Sequence, residues 1–162
     1  MIKQITPEKA LERLETLCAR AEHCSGELRR KLRMWRITPD DADAIIYSLT
    51  RRRFVDDARF ARVFVRDKYR FNRWGRIKLR MELRTRGVAD SIIDEAFEEI
   101  DDDIYYQALF AVIKAKARSM KEEDDFTWRR KLYMAAAARG YEGEVIAAAL
   151  RKFDEMQANT DE

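Results

Sequence analysis

The feature that most constrains this chain is an eleven-residue pattern that occurs three times. The stretches ELRRKLRMWRI, KLRMELRTRGV and KLYMAAAARGY align without a gap over 27–37, 78–88 and 131–141, at spacings of 51 and 53 residues. Leucine holds the second position of each stretch, and an apolar residue closes each one. A fixed period of this length is typical of tandem repeats whose units share one fold.

The agreement continues beyond each stretch. Positions 5, 8, 9 and 12 after the closing residue are apolar in every copy: Ala42, Ile45, Ile46 and Leu49; Ile93, Ala96, Phe97 and Ile100; Ile146, Ala149, Leu150 and Phe153. This spacing is one face of an α-helix. Each copy therefore predicts two helices joined by a tight corner, where Gly87, Gly140 and, in the first copy, Arg36 hold the place of a left-handed cap.

A third helix precedes each pair, over about 7–22, 56–70 and 103–118. Glycine (5 residues) and proline (2) are scarce, which favours helices. The sequence thus predicts an all-α fold of nine helices in three tandem three-helix repeats, at 1–53, 54–103 and 104–162, the last with a short C-terminal tail. Because a bundle of about 50 residues buries little apolar surface alone, we expect the repeats to stack into an elongated, curved array.

Two adjacent carboxylates in FVDDARFA (54–61) raise the question of a catalytic or metal-binding pair. We interpret Asp56 as a helix N-cap and Asp57 as a first-turn acid that the helix dipole stabilises. Val55 and Phe60 have the spacing of a hydrophobic staple around such a cap. Thr6 and Thr38, each followed by proline, predict two further caps.

The residues needed for catalysis are scarce. His23 is the only histidine, and its spacing from Cys18 and Cys24 matches no common zinc site. The glycines form no phosphate-binding loop. We expect no enzyme activity, no cofactor and no metal; a nuclease using Asp56 and Asp57 or the acidic runs is the disfavoured alternative.

The chain is expected to be a cytoplasmic monomer without a membrane segment. No apolar run approaches the roughly 20 residues that cross a bilayer, and the sequence begins with no apolar signal segment. Two cysteines are too few for a disulfide framework, which favours a reducing compartment.

Charge is concentrated in the middle of the chain. Residues 51–88 hold 14 Lys and Arg against 4 Asp and Glu, whereas residues 89–103 hold 8 acids and no base. Such a basic segment indicates either a polyanionic partner or a solvated helix face, and charge alone leaves both open.

The basic residues follow a helical spacing. We expect a stripe along one side of a helix at 74–86, joined by residues before it and by part of the first repeat, and predict that these residues bind the partner: Arg73, Arg76, Arg80 and Arg84; Lys68 and Arg70; Arg29 and Arg33. Tyr69, Phe71 and Trp74 are expected in the preceding loop, with Trp74 wedged between helices. Ile77 and Met81 flank the stripe, and we favour their packing against an adjacent repeat over contact with a partner.

These residues carry a family resemblance. FVDDARFARVFV followed by WGRIKLRMELRTRGV closely resembles the signature of the bacterial RecX regulators, and SGELRRKL (25–32) is similar to a further motif of that family. The chain length and the threefold organisation agree as well.

The resemblance implies that the chain binds the RecA recombinase within the helical groove of the RecA–DNA filament. It implies a regulator that limits filament growth, strand exchange and ATP hydrolysis in recombination and DNA repair. Contact with single-stranded DNA or with DNA in the filament is expected to be weak and charge-driven. An independent helical DNA-binding module is the alternative, because each repeat ends in two helices with a tight corner.

Overall fold

The structure, a computed structural model, describes residues 4–161 and contains nine α-helices and no strand in that range. The helices are α1 (Pro7–Arg20), α2 (Ser25–Met34), α3 (Pro39–Arg51), α4 (Asp57–Phe71), α5 (Arg76–Thr85), α6 (Asp90–Ala96), α7 (Asp102–Ser119), α8 (Asp125–Ala138) and α9 (Gly143–Thr160). A 3₁₀ turn, Phe97–Glu99, extends α6. The predicted all-α fold with nine helices is confirmed.

The predicted start signals act as helix caps. Thr6 accepts a hydrogen bond from the backbone of Lys9, and Thr38 accepts one from Asp41, both at 3.2 Å. Asp56 caps α4 in the same way, accepting from the backbone N–H of Arg59 at 3.0 Å. The acidic runs do likewise, since Asp101 caps α7 and Asp124 caps α8.

The corners between second and third helices share one backbone conformation. Arg36, Gly87 and Gly140 have φ angles of 58°, 82° and 88°. In each corner the N–H of the closing apolar residue donates to a carbonyl in the last turn of the helix: Ile37 to Leu32, Val88 to Leu83, and Tyr141 to Ala136. This bonding is that of a Schellman cap, which requires a left-handed residue and so favours glycine.

By contact density the chain divides into two compact units, Met1–Val63 with Glu82–Ala96, and Phe64–Met81 with Phe97–Glu162. The core of the first unit is formed mainly by leucines and isoleucines of α1, α2 and α3: Leu14, Leu28, Leu32, Ile45, Ile46 and Leu49. In the second unit the equivalent buried residues come from α7, α8 and α9: Leu109, Ile113, Leu132, Ile146 and Phe153. The repeat boundaries near 53 and 103 and the curved array stay predictions.

Within each compact unit, the corner of one repeat packs against the start of the second helix of the preceding repeat. The corner after α5 contacts the start of α2, and the corner after α8 contacts the start of α5. In the first unit, a Cβ on Gly26 would lie 2.0 Å from the carbonyl oxygen of Arg86. In the second, the N–H of Gly75 donates to Arg139 O at 2.8 Å, and Ile77 N–H donates to Gly140 O at 3.0 Å. Only a residue without a side chain permits backbones to approach this closely. The same joint therefore occurs twice.

Candidate polyanion-binding surface

A cluster of cationic and aromatic side chains surrounds Trp74, between the end of α4 and the start of α5. The Trp74 ring packs edge to face on Phe64, with centroids 6.0 Å apart. Lys68 Nζ lies 5.1 Å from the centroid of the indole ring, and Lys78 Nζ lies 4.6 Å from it. The indole thus contacts Phe64 and Lys68 of α4 and Lys78 of α5, and it attracts the two ammonium groups by cation–π interaction.

The backbone of the connecting loop is fixed by hydrogen bonds. The N–H groups of Asn72 and Trp74 both donate to the carbonyl of Lys68, at 3.1 and 3.2 Å. The guanidinium of Arg139 donates to Asn72 O at 2.7 Å, which connects the loop between α4 and α5 to the corner after α8. Arg73, in the middle of the loop, has a φ of 55° and an exposed side chain.

We name the Trp74 surface by its residues: Lys68, Arg70, Phe71, Arg73, Trp74, Lys78 and Arg139. Phe71 exposes 80% of its surface there. Within residues 4–161, neither Lys68 nor Lys78 has a carboxylate at ion-pair distance, and Arg73 and Arg139 likewise make no ion pair. The surface therefore holds positive charge that the described chain does not neutralise by direct pairing.

The structure corrects the predicted arginine stripe at its first residue. Helix α5 begins at Arg76, so Arg73 lies in the loop and not on the helix. Phe71, expected in the loop, is the last residue of α4, and Tyr69 lies in the last turn of the same helix, because α4 continues one residue beyond the predicted helix over 56–70. Tyr69 is fully buried, and its hydroxyl accepts from Arg70 at 3.2 Å.

Arg76 holds parts of the fold together. Its guanidinium donates to Glu142 at 3.2 Å and Asp102 at 3.1 Å, and lies 4.3 Å from the centroid of the Tyr105 ring. The backbone N–H of Arg76 donates to the Tyr105 hydroxyl at 3.0 Å, and this hydroxyl in turn donates to Glu142. Burial, reinforced by the bond to Glu142, raises the pKa of Tyr105, so the phenol stays protonated as a donor.

The other predicted arginines differ in how far they are paired. Arg84 forms two hydrogen bonds to Asp90, at 2.7 and 3.0 Å, which raise the pKa of its guanidinium. Arg29 donates to Asp43 at 2.6 Å. Arg80 lies 5.0 Å from the centroid of the Phe97 ring. Arg33 is exposed on α2.

The two apolar residues that flank the stripe are exposed, so the favoured prediction of their packing against a repeat is wrong. Ile77 exposes 56% of its surface and Met81 57%. Both lie on α5, whose opposite face buries Leu79 and Leu83 completely. An amphipathic helix has room for one buried stripe only, and the leucines occupy it.

Sequence reasoning missed two members of the Trp74 surface. Lys78 was not assigned because it lies off the arginine stripe; its position four residues after Trp74 was the available signal. Arg139 lies 67 residues from Asn72, so no local pattern indicated their contact.

No metal site or membrane helix is found in the part of the chain that the structure describes. Between residues 4 and 161 no cluster of three His, Cys, Asp or Glu side chains could hold a metal ion. His23 Nδ1 lies 3.2 Å from Glu27 Oε2, in an intramolecular pair. No helix in this range is sufficiently long and apolar to span a bilayer.

Fold and surface define an all-α protein of tandem three-helix repeats with a cationic face. The sequence matches two family models. Residues 56–96 match "RecX, second three-helix domain", and residues 102–150 match "RecX, third three-helix domain". The chain belongs to the RecX family.

Relatives named regulatory protein RecX match most of the chain. That of Prosthecochloris aestuarii is 33% identical over 151 residues, covering 93% of this chain and 95% of its own. That of Xanthomonas citri is 34% identical over 151 residues, covering 92% and 88%. A crystal structure of RecX from Lactobacillus salivarius superposes with a TM-score of 0.82 at 18% identity, covering 91% of this chain and 96% of that one, which shows the same fold.

Proposed function

We propose that this protein regulates RecA without catalysing a reaction of its own, by binding the RecA–DNA filament through the Trp74 surface. Bound in the filament groove, it spans neighbouring subunits, hinders the addition of further subunits, and limits strand exchange and ATP hydrolysis. Membership of a regulatory family supports the proposal. The observation that carries it is the pair of lysines on Trp74, whose charge no carboxylate of the described chain pairs.

A surface of this kind suits a nucleoprotein polymer for an electrostatic reason. Lys68, Lys78, Arg73 and Arg139 combine their fields over a small area, which attracts acidic side chains and phosphates alike. Exposed charges are screened beyond about 8–10 Å at physiological ionic strength, so attraction of this kind acts at close range. The exposed Phe71 adds an apolar contact beside the charges.

The predicted arginines contribute unequally in this proposal. Lys68, Arg70 and Arg73 belong to the Trp74 surface, and Arg80 lies one turn along α5 from Arg76. Arg76 and Arg84 act mainly within the fold, because each is held by carboxylates. Arg29 and Arg33 are further basic residues of the first compact unit, proposed as secondary contacts.

The proposal includes direct contact with the DNA of the filament, and this interaction is expected to have low affinity. A protein that contacts single-stranded DNA through a few cations loses affinity as salt rises, with a slope of about −0.7 for each phosphate contacted. Four or so contacts therefore give weak binding at physiological salt. Strong, sequence-selective binding in the absence of RecA would favour an independent DNA-binding module instead.

The test is RecA-catalysed ATP hydrolysis on single-stranded DNA with increasing amounts of this protein. The proposal predicts that hydrolysis falls at amounts well below one molecule per RecA subunit if binding blocks filament growth. Equal hydrolysis with and without a stoichiometric amount of the folded protein would reject it. Filament lengths measured by electron microscopy on the same samples separate blocked growth from slowed turnover on intact filaments.

A further inference from the structure

A second surface lies on α7 and α9 and shares no residue with the Trp74 surface. It is a groove of about 340 Å³, lined by Tyr106, Gln107, Phe110, Ala111, Lys114, Lys152 and Met156. All of these residues belong to the second compact unit. The proposed function uses none of them.

The floor of the groove is apolar and packed. The Tyr106 and Phe110 rings are nearly parallel, at 19°, with centroids 6.5 Å apart. Phe110 also packs edge to face on the buried Phe153, at 5.8 Å, which anchors the floor to the core. Met156 exposes 46% of its surface at the edge, although a solvated helix end needs no apolar residue there. Methionine is a side chain that adapts to differently shaped apolar partners.

The rim of the groove is positively charged on both helices. Lys114 Nζ lies 5.6 Å from the centroid of Phe110, and Lys152 Nζ lies 5.7 Å from that of Tyr106. Neither lysine has a carboxylate at ion-pair distance within residues 4–161. In the same range, the Tyr106 hydroxyl has no hydrogen-bond partner, which leaves it available to a ligand.

We propose that this groove binds an acidic segment of a partner protein. A large apolar side chain of that segment fills the space between Phe110 and Met156. Carboxylates on either side of it pair with Lys114 and Lys152, and the Tyr106 hydroxyl donates to one of them. The proposal goes beyond the RecA-filament function and does not depend on it.

Charge complementarity selects this occupant over the others. A nucleic acid would stack its bases on open aromatic faces, but here the lysine ammonium groups lie over both rings. The alanine and methionine of the lining match an aliphatic or aromatic side chain better than a sugar or a phosphate. Cations on both sides of an apolar floor are the complement of an apolar residue flanked by acids.

The probe is a short fluorescein-labelled peptide in which phenylalanine and leucine are flanked on both sides by glutamates. Fluorescence anisotropy measures binding of this peptide to the 162-residue chain, with neither RecA nor DNA present, so the absence of binding would leave the proposed function untouched. Two control peptides replace the apolar pair with serines or the glutamates with glutamines. We expect saturable binding of the first peptide and at least about tenfold weaker binding of both controls.

Variants of the protein locate the binding. Lys114→Glu combined with Lys152→Glu should weaken binding by at least about tenfold, and so should Met156→Asn, which keeps the rim charges. Arg151→Glu is the matched control, since Arg151 is exposed on the same helix beside Lys152 and lies outside the lining. Circular dichroism of each variant checks that the helices are retained.

Several results would overturn the proposal. The first is the absence of saturable binding of the acidic peptide. The second is equal binding of that peptide by the double lysine variant and by Arg151→Glu. The third is binding of the serine peptide as tightly as the acidic peptide. Displacement of the peptide by a single-stranded oligonucleotide at lower concentration would assign the groove to nucleic acid instead. Self-association that light scattering detects and Met156→Asn abolishes would assign it to a second copy of the chain.

Discussion

The carboxylate of Asp57 accepts two hydrogen bonds from Ser25, one from the backbone N–H at 2.7 Å and one from the hydroxyl at 2.6 Å. Ser25 is the first residue of α2, whose own N-cap residue, Cys24, supplies no side-chain bond. The start of α4 thus caps a helix 32 residues earlier in the chain. Tyr105 of α7 does the same for α5 by accepting from Arg76 N–H at 3.0 Å.

The Asp57 contact predicts different costs for two neighbouring substitutions. Asp57→Ala removes two charge-assisted bonds and should lower the free energy of unfolding by about 2–3 kcal/mol. Asp56→Ala removes one local cap and should cost about 1 kcal/mol. Urea unfolding followed by circular dichroism gives both values. An Asp57→Ala cost no larger than that of Asp56→Ala would show that the bonds to Ser25 contribute nothing beyond an ordinary cap.

Substitution of Gly75 tests the close backbone contact between Gly75 and Gly140. A Cβ at this residue would lie 2.3 Å from the carbonyl of Gly140, a backbone group that has no room to move away. Gly75→Ala should therefore lower the free energy of unfolding by about 1–3 kcal/mol.

Gly143→Ala is the matched control for Gly75. Its Cβ would meet the Tyr133 hydroxyl at 2.8 Å, the far end of an exposed side chain that can rotate aside. A change within about 0.5 kcal/mol is expected. If the two alanine variants are equally stable, the close backbone approach at Gly75 is not a feature of the folded protein in solution.

Much of this fold was predictable because its signals are local. Leu28, Leu79 and Leu132 are buried as their period required, and Thr38 caps α3 as its position before proline indicated. Helix periodicity and capping depend on residues within one or two turns, so a sequence displays them directly.

Contacts between distant residues were not predictable in this way. Asp57 was assigned to its own helix dipole, whereas its carboxylate bonds to Ser25; the two residues share no local pattern. Arg73 fitted a helical spacing but lies in a loop, because the backbone bonds to Lys68 end α4 and turn the chain before α5 begins. The cluster at Trp74 gains Arg139 only through the folded chain.

Substitution of Arg76 and of Arg73 distinguishes an arginine that stabilises the fold from one that is available to bind a partner. Arg76→Met removes two ion pairs and the contact with Tyr105, and should lower the free energy of unfolding by about 1–2 kcal/mol. Most of this comes from the partly buried Glu142 and Tyr105 contacts, because the Asp102 carboxylate is exposed and its pair is screened by solvent. Arg73→Met, at an exposed residue, should change it by less than about 0.5 kcal/mol. Thermal and urea unfolding of the two variants provide the comparison. Equal stability would mean that Arg76 is as free to bind a partner as Arg73.

Cys24 predicts a loss of stability at alkaline pH. Burial raises the pKa of its thiol from 9.0 to about 11, and the Sγ–H donates to Arg86 O at 3.3 Å. Between these two pKa values the unfolded chain releases a proton that the folded chain keeps, so the free energy of unfolding must fall as pH rises from about 9 to about 11. Burial raises the pKa of Tyr105 and Tyr141 too, and both add to the fall at higher pH.

The contribution of Cys24 is isolated by subtraction. Urea unfolding at pH 8 and pH 11 gives the decrease in the free energy of unfolding for the native chain and for Cys24→Ala. The decrease should be smaller for the variant. Parallel losses in the two proteins would place the thiol in contact with solvent.

Binding of the RecA filament by the two lysines that contact Trp74 is tested by comparing two double variants. Inhibition of RecA ATP hydrolysis on single-stranded DNA is measured for Lys68→Glu combined with Lys78→Glu. The matched control is Arg130→Glu combined with Arg151→Glu, an equal charge change at exposed residues outside the Trp74 surface. Half-inhibition by the lysine variant is expected to need at least about tenfold more protein than half-inhibition by the native chain, while the control stays within about twofold of the native chain. Equal inhibition by both folded variants would show that these lysines do not bind the filament.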